Sequence, residues 1–199
     1  GLFVQWIPLY QISARELGII SKTLLKVFPQ VTLWRGDFYA SKPMLALVGH
    51  QRNAPLSATT PIIQTSQKTF QDYRQQRSDQ IPLLAHYLGQ LSPLQPMVAD
   101  SLINTDDLPW IEYLAPQSHR AEKAGEISWF VGDTLVQFMQ QLQQQNEPIN
   151  DPYLSQLSPD MHRAVYAGLF FHLAQIAKAQ EKDEASRKAL DMGKALLSE

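Results

Sequence analysis

The sequence contains no cysteine among its 199 residues. Disulfide bridges, thiolate nucleophiles and zinc sites built on cysteine are therefore excluded, and the absence fits a reducing compartment. No apolar run reaches the roughly 18 residues that a membrane-spanning helix needs. The opening segment GLFVQWIPLY also has neither the basic leader nor the small-residue cleavage site of a signal peptide.

The chain also has no marked excess of positive or negative charge, because its 17 Lys and Arg nearly balance its 19 Asp and Glu and the net charge is -2. This balance gives no electrostatic basis for binding nucleic acid or an anionic membrane, so a nucleic-acid partner is not expected. Hydrophobic residues make up 44% of the chain and charged residues 18%, which is typical of a globular protein rather than a disordered one.

Several catalytic motifs are missing as well. The five histidines, at positions 50, 86, 119, 162 and 172, form no HExxH motif and no pair four residues apart. A structural or surface role is favoured over metal binding for each, and no metal site is expected. The sequence has no GxSxG, GxxxxGK[ST] or GxGxxG motif, which argues against a hydrolase elbow, a P-loop and a dinucleotide-binding loop.

Residues 1–50 predict the order strand, helix, strand, strand. The nearly all-apolar LFVQWI is typical of a central strand covered on both faces. Ser13 and Glu16 have capping-box spacing, and Phe28-Pro29 ends the helix that they open. The two later strands are expected at 31–38 and 44–48, with a parallel crossover before the first of them and an antiparallel pair after it.

The first strand begins at Leu2 with no preceding turn or cap. Because chain termini usually lie at the surface, this start predicts either a fragment of a longer protein or a strand held by another part of that protein. A sheet cut before this strand would expose a long edge, so self-association through that edge is also expected.

Beyond His50 the pattern predicts helices and no further strand. Residues 51–118 read as helical and proline-spaced, with helices from Thr59 and from Ser78 or Asp79, the latter running through 83–88 and stopping at Gly89. Residues 119–199 read as an all-helical extension, including a face from Ile127 to Leu142 and a helix opening at Ser158. The last two helices are similar to one tetratricopeptide-type hairpin, although about three such units are needed for a stable array.

Three stretches carry candidate binding residues. Gln5, inside an apolar strand, either lines a ligand pocket or is satisfied by neighbouring backbone. Asp37, in VTLWRGDF, is either a pocket residue or an ordinary turn residue. Asp106 and Asp107, in NTDDLPWIEY, either attract an amine or brace a turn.

At these stretches the chain resembles the spermidine-synthase-like (aminopropyltransferase-type) proteins, especially bacterial ones whose synthase-like domain is often fused to membrane segments. The matching phrases are GLFVQWIPLY, the helix into KVFPQVTLW, the ALVG strand and NTDDLPWIEYLAP. They cover about residues 1–50 and 100–117 in the same order and spacing. The resemblance implies a Rossmann-like methyltransferase fold in which residues 1–50 are the fifth strand, its helix and the final two strands.

The resemblance also implies a reaction: transfer of an aminopropyl group from decarboxylated S-adenosylmethionine to putrescine. The amine must attack a carbon beside a sulfonium, so carboxylates must hold the diamine and help to remove a proton. In the family those aspartates and the glycine-rich cofactor loop precede the region matched here, so this chain alone is expected to be inactive and to bind no adenosine-containing ligand.

Only some of the binding residues known in the family have a counterpart in this sequence. Gln5 matches a glutamine that lines the diamine pocket, whereas TLWRGDFYASKP stands where the family has a Pro-Thr-Tyr-Pro segment with a pocket tyrosine. Trp6, Tyr10 and Trp34 are candidate pocket aromatics, with core packing as the alternative for each.

The expected fold class is therefore α/β plus α, with the end of a Rossmann-like sheet at 1–50, a packing segment at 51–118 and a helical extension at 119–199. Expected partners are the missing N-terminal half of a parent or a second copy, and a small amine in the complete parent. The resemblance implies a cytoplasmic domain that a fused membrane region can tether to the inner membrane. The alternative function is a non-catalytic helical module for protein–protein interaction.

Overall fold

A computed structural model describes residues 1–51, 57–74 and 82–198. The strands are β1 (Leu2–Pro8), β2 (Gln30–Arg35), β3 (Met44–His50) and β4 (Tyr87–Gln90). The helices are α1 (Ala14–Val27), α2 (Thr60–Arg74), α3 (Trp110–Lys123), α4 (Gly132–Gln145), α5 (Pro159–Ala179) and α6 (Asp183–Ser198). Short 3-10 turns lie at Leu9–Gln11, Leu83–His86, Ser92–Val98 and Pro148–Asn150.

The four strands form one sheet in the order β1-β3-β2-β4, and every hydrogen-bonded pair in it is antiparallel. β1 and β2 run in the same direction, as the α1 crossover predicts, but β3 lies between them and pairs with both. The described residues therefore form an α+β architecture, with an antiparallel sheet and helices, rather than the expected α/β class with paired parallel strands.

Within the described residues β1 forms one edge of the sheet and is not a central strand covered on both faces; an exposed edge at this strand is what a sheet cut before it predicts. Five consecutive residues from Leu2 to Trp6 are exposed, and Leu2 and Trp6 keep 62% and 51% of their surface accessible. The apolar composition that suggested two covered faces instead leaves an apolar strand at the surface.

The start and end of α1 follow the sequence signals. The backbone N–H of Ser13 donates to the Glu16 carboxylate at 2.7 Å, and the Ser13 hydroxyl accepts from the Glu16 backbone N–H at 3.5 Å. Phe28 is the C-cap before Pro29. The predicted capping box and the predicted helix end are both confirmed.

Residues 83–90 differ from their prediction. Ser78 and Asp79, the expected helix caps, lie outside the described residues. Leu83–His86 is a 3-10 turn, and the following four residues form β4 instead of continuing a helix. All four β4 residues are buried, and Gly89 takes a φ of 121°, a conformation that glycine adopts at little cost. Pairing with β2 therefore decides the structure of this segment.

The main core lies on the face of the sheet that α1 and α4 cover. It joins side chains from both ends of the chain, namely Ile7, Leu9, Ile12, Leu17, Val31, Leu33, Leu45, Leu47, Leu88, Leu91, Leu94, Phe130, Leu135, Met139, Leu142 and Ile176. The helical residues 119–199 thus supply part of the same core as residues 1–50. α4 begins only at Gly132, so the predicted helical face starting at Ile127 is wrong for its first five residues, although Phe130 is buried as expected.

The long helix α5 opens at Ser158-Pro159 as predicted and packs along α6 after a short connection. Gly168 allows α5 to lie directly against the 3-10 turn before β4, because a Cβ there would collide with the backbone carbonyl of Ala85. Within the residues that the structure describes, no helix combines the length and apolar composition needed to cross a membrane.

Candidate functional site

The face of the sheet opposite α1 carries an open cavity. Cross-strand register places Trp6 and Trp34 on either side of Ala46, and Val4 and Thr32 on either side of Val48. Because Ala46 is small, it leaves room between the two indoles. The resulting cavity, of about 360 Å³, is lined by Leu2, Val4, Trp6, Thr32, Trp34, Arg35, Gly36, Ala46, Val48, His50, Leu83, His86 and Tyr153.

Trp34 is fixed on one side of this cavity. Its indole N–H donates to the Thr32 hydroxyl at 3.0 Å. Its ring meets Tyr87 and Tyr153 edge-on, with centroid distances of 4.9 and 5.9 Å, and the two tyrosines stack on each other at 4.9 Å. The wall formed by Trp34 is therefore rigid and preorganised.

Trp6 forms the opposite, more exposed wall. Its ring reaches Gly36, where an added Cβ would lie 3.0 Å from a ring carbon. With half of its surface accessible, Trp6 has few neighbours to fix it. Together the two tryptophans form an aromatic site that can hold a planar or apolar group.

Basic groups accompany these aromatics. His50 and His86 line the cavity together with Arg35, but the Arg35 side chain points to the opposite face of β2, where it donates to the Gly168 carbonyl oxygen of α5. The Nδ1 atom of His86 lies 3.2 Å from the Arg35 carbonyl oxygen. No carboxylate is among the described lining residues. A diamine requires negative charge, which the described lining residues do not supply.

A carboxylate does lie behind the aromatic wall, at a position that no sequence motif singles out. Asp151 is buried and accepts from the Tyr87 hydroxyl at 2.7 Å, the Gln90 amide at 2.9 Å and the Tyr153 backbone N–H at 2.8 Å. Burial and the Asp151 charge raise the pKa of Tyr87 well above its usual value. Since three donors occupy Asp151, its role is to fix the wall of the cavity.

Of the sequence-predicted residues, the structure brings Trp6 and Trp34 together. Gln5 follows the alternation of the strand onto the other face, between Phe3, which stacks on Phe28, and the buried Ile7. The Gln5 amide donates to the Trp6 carbonyl oxygen at 3.0 Å and is exposed. This bond is the neighbouring-backbone contact that was the alternative for Gln5.

Tyr10 and Asp37 lie at chain turns. Tyr10 is half-buried in the 3-10 turn Leu9–Gln11, outside the cavity lining. Asp37 follows β2, and its carboxylate accepts from the Tyr39 backbone N–H at 3.2 Å, which closes a turn. This is the turn geometry that an aspartate favours.

Asp106 and Asp107 are exposed in the loop before α3. The bracing in this loop comes from their neighbour Asn104, whose side-chain oxygen accepts from the Ile111 backbone N–H at 3.0 Å. The Asn104 backbone N–H in turn donates to the Thr23 hydroxyl of α1 at 2.9 Å. The loop is therefore attached to α1, and the two aspartates do not line the aromatic cavity on the other face.

Among the described residues, no group of three or more His, Cys, Asp and Glu side chains is arranged to hold a metal ion. No protein-family model matches the chain, and no curated protein or solved structure matches it either. The candidate site therefore stands on its own geometry: an aromatic cavity on the open sheet face, with a wall that a buried carboxylate fixes in place.

Proposed function

We propose that this chain is the C-terminal portion of a spermidine-synthase-like protein, in which the complete parent transfers an aminopropyl group to a polyamine acceptor. The observation that carries the proposal is the strand order. β1 and β2 run parallel, α1 connects them, and the last strand, β3, is inserted antiparallel between them. This is the order expected for the last three strands of the Rossmann-like methyltransferase sheet that the sequence resemblance implies.

The surface of β1 supports the same interpretation. An edge strand with Leu2, Phe3, Val4 and Trp6 exposed invites pairing with another strand. The open face beside it is also apolar, and large exposed apolar patches mark surfaces that another part of a protein covers. In a complete parent, the preceding part of the sheet would pair with β1 and a further layer would cover Trp6.

The composition of the cavity is consistent with an active site whose residues come from two parts of such a parent. The chain supplies aromatic walls, whereas the carboxylates that bind a diamine and the loop that binds decarboxylated S-adenosylmethionine would come from the parent's other part. We therefore expect this chain alone to be inactive. β4 is a departure from the family pattern, since it extends the sheet beyond β2 with a strand from the region after residue 50.

The test is an aminopropyl-transfer assay of the complete parent beside this chain, with decarboxylated S-adenosylmethionine and putrescine or longer diamines as acceptors. Turnover by the parent and none by the chain is expected. Trp34→Ala in the parent should raise KM for the acceptor about tenfold, while Tyr113→Ala, at an exposed position on α3, should leave it unchanged. A parent that turns over no diamine and binds no methylthioadenosine would overturn the proposal.

A second candidate, a non-catalytic interaction module, is favoured by one observation. A groove of about 450 Å³ lies between α2, the turn before β4, α5 and α6, with Ile63, Leu84, Met161 and Leu197 on its walls. Deleting 119–199 cannot test this idea, because those residues build the common core. Leu197→Asp changes the groove at a partly exposed position instead, and a partner captured by the unmodified chain but not by this variant would support the module.

A further inference from the structure

We propose that the cleft between the β2–β4 side of the sheet and helices α4 and α5 binds a monatomic halide, chloride in the cell, on the guanidinium of Arg35. The inference is independent of the aminopropyltransferase proposal. It starts from the burial of Arg35, which keeps only 4% of its surface accessible although its side chain carries a positive charge.

The described residues provide Arg35 with dipoles but no opposite charge. Its Nη1 donates to the Gly168 carbonyl oxygen of α5, and its guanidinium carbon lies 5.4 Å from the centre of the Phe38 ring. Its Nε has no hydrogen-bond partner among the described residues, and the single salt bridge found there joins Arg163 to Asp160. Burial lowers the pKa of Arg35 to about 9, which still leaves the side chain protonated at neutral pH.

The neighbouring polar groups do not supply the missing negative charge. His172 is 1% exposed and packs on Phe38 with a centroid distance of 5.9 Å, and His86 packs on the same ring at 4.9 Å. Histidine is neutral or positive, never negative. The buried carboxylate of Asp151 is engaged by three donors and makes no ion pair with Arg35. An uncompensated buried charge strongly destabilises the folded state, so a bound anion would reduce that free-energy penalty.

The size of the cleft selects the anion. A cavity of about 10 Å³ is lined by Arg35, Tyr87, Leu88, Met139, Gln143, Asn146, Pro148, Val165 and Leu169. Such a volume accommodates one species about as large as a water molecule. Chloride is somewhat larger than a water molecule but is a single atom, whereas carboxylates and phosphates are several atoms across and larger still. Asn146 Oδ1 accepts from the Gln90 backbone N–H and Nδ2 donates one hydrogen to the Leu142 carbonyl oxygen, so the Gln143 amide and the second Nδ2 hydrogen are the side-chain donors that can add to Arg35.

The first experiment measures thermal unfolding of the full chain while sodium gluconate is replaced by sodium chloride at constant ionic strength. A saturating rise in Tm of about 3 °C is expected for the unmodified chain. Arg35→Met should lose this rise, and Arg187→Met, at an exposed position on α6, should keep it. A rise retained in Arg35→Met would overturn the proposal.

A second experiment does not depend on whether Arg35→Met folds. Crystals of the unmodified chain grown in sodium bromide should show an anomalous peak at about 3.3 Å from the Arg35 guanidinium nitrogens, consistent with a charge-assisted contact. An ordered water at that position, with no anomalous signal, would overturn the proposal. So would a Tm that is the same in gluconate, chloride and bromide.

Discussion

The two edges of the sheet differ sharply in how far their residues are buried. β4 has all four residues buried, and Asn146 from the end of α4 accepts from the Gln90 backbone N–H at 2.8 Å. β1, at the other edge, exposes five residues in succession. The chain thus covers one edge with its own helices and leaves an apolar strand at the other.

The difference shows that edge strands of similar apolar character can have opposite roles. The backbone groups and side chains of β4 find partners within the same chain, so this edge ends the sheet. Among the described residues, β1 pairs with a strand on one side only and exposes Leu2, Phe3 and Val4, so its other side can pair with another strand. Stability should therefore depend on the β4 edge, and association should depend on the β1 edge.

The largest effect is expected for Asp151, which fixes the β4 edge. Asp151→Ala leaves the Tyr87 hydroxyl, the Gln90 amide and a backbone N–H without their acceptor, and should lower the free energy of unfolding by about 4 kcal/mol. Urea denaturation measures the change. Asp160→Ala, whose side chain is 75% exposed, is the control and should cost less than about 0.5 kcal/mol. Equal losses in the two variants would contradict the assigned role of Asp151.

Core packing gives the next largest contrast between the edges. Leu88→Ala in β4 removes a buried side chain and should cost about 3 kcal/mol. Val4→Ala in β1 removes a side chain that is nearly half exposed and should cost about 0.5 kcal/mol or less. The same denaturation experiment compares them. If Val4→Ala were as costly as Leu88→Ala, the β1 edge would have to be covered in solution.

The free energy of unfolding is expected to depend on pH through His172, which lies buried on α5. Burial, together with the charges of Arg35 and His86, lowers the pKa of His172 to about 3. Because the unfolded chain binds this proton below about pH 6.5, stability should be full above that pH and fall as the pH drops toward 3. The loss attributable to His172 between pH 6.5 and 4.5 is about 2 to 3 kcal/mol.

His172→Leu tests this assignment, because leucine keeps an apolar volume in the core and cannot titrate. The variant should lose less stability than the unmodified chain on acidification, as followed by urea denaturation at each pH. His119→Gln, at an exposed position on α3, should retain the original pH dependence. A profile unchanged by His172→Leu would show that other groups cause the acid sensitivity.

The smallest effect on stability, but a clear one on association, is expected at the β1 edge. The unmodified chain should self-associate at high concentration through β1. Val4→Lys should weaken that association at least about tenfold while changing the free energy of unfolding by less than about 0.5 kcal/mol, since a charge at an exposed edge opposes strand pairing. Sedimentation velocity measures it, with Thr65→Lys on α2 as the matched control. A chain that is monomeric at every concentration would contradict the prediction.

Sequence reasoning was most successful where the signal is local. The capping box of Ser13 and Glu16 and the helix end before Pro29 require contacts only a few residues apart, and both are present. It failed at β4, because YLGQ has no strand pattern of its own and becomes a strand only through pairing with β2. It also missed Asp151, whose partners Tyr87 and Gln90 are more than sixty residues away along the chain.

For the candidate site, too, the sequence identified individual residues, whereas their arrangement depended on contacts between distant segments. Trp6 and Trp34 were recognised as pocket aromatics or core residues from their strands alone, but only the register with Ala46 places them around one cavity. Asp106 and Asp107 were candidates for binding an amine, and the structure sets their loop against α1, away from that cavity. The carboxylate that supports the aromatic wall comes from another part of the chain.

The amino-acid sequence by itself determined the apolar strands, the capped helix between the first two and the helical character of the C-terminal part. These features depend on short-range spacing and on the conformational preferences of individual residues. Tertiary structure alone decided that β3 is inserted between β1 and β2, that β4 completes one edge, and that β1 stays exposed at the other. Strand order and burial depend on contacts between distant segments, which local periodicity does not encode.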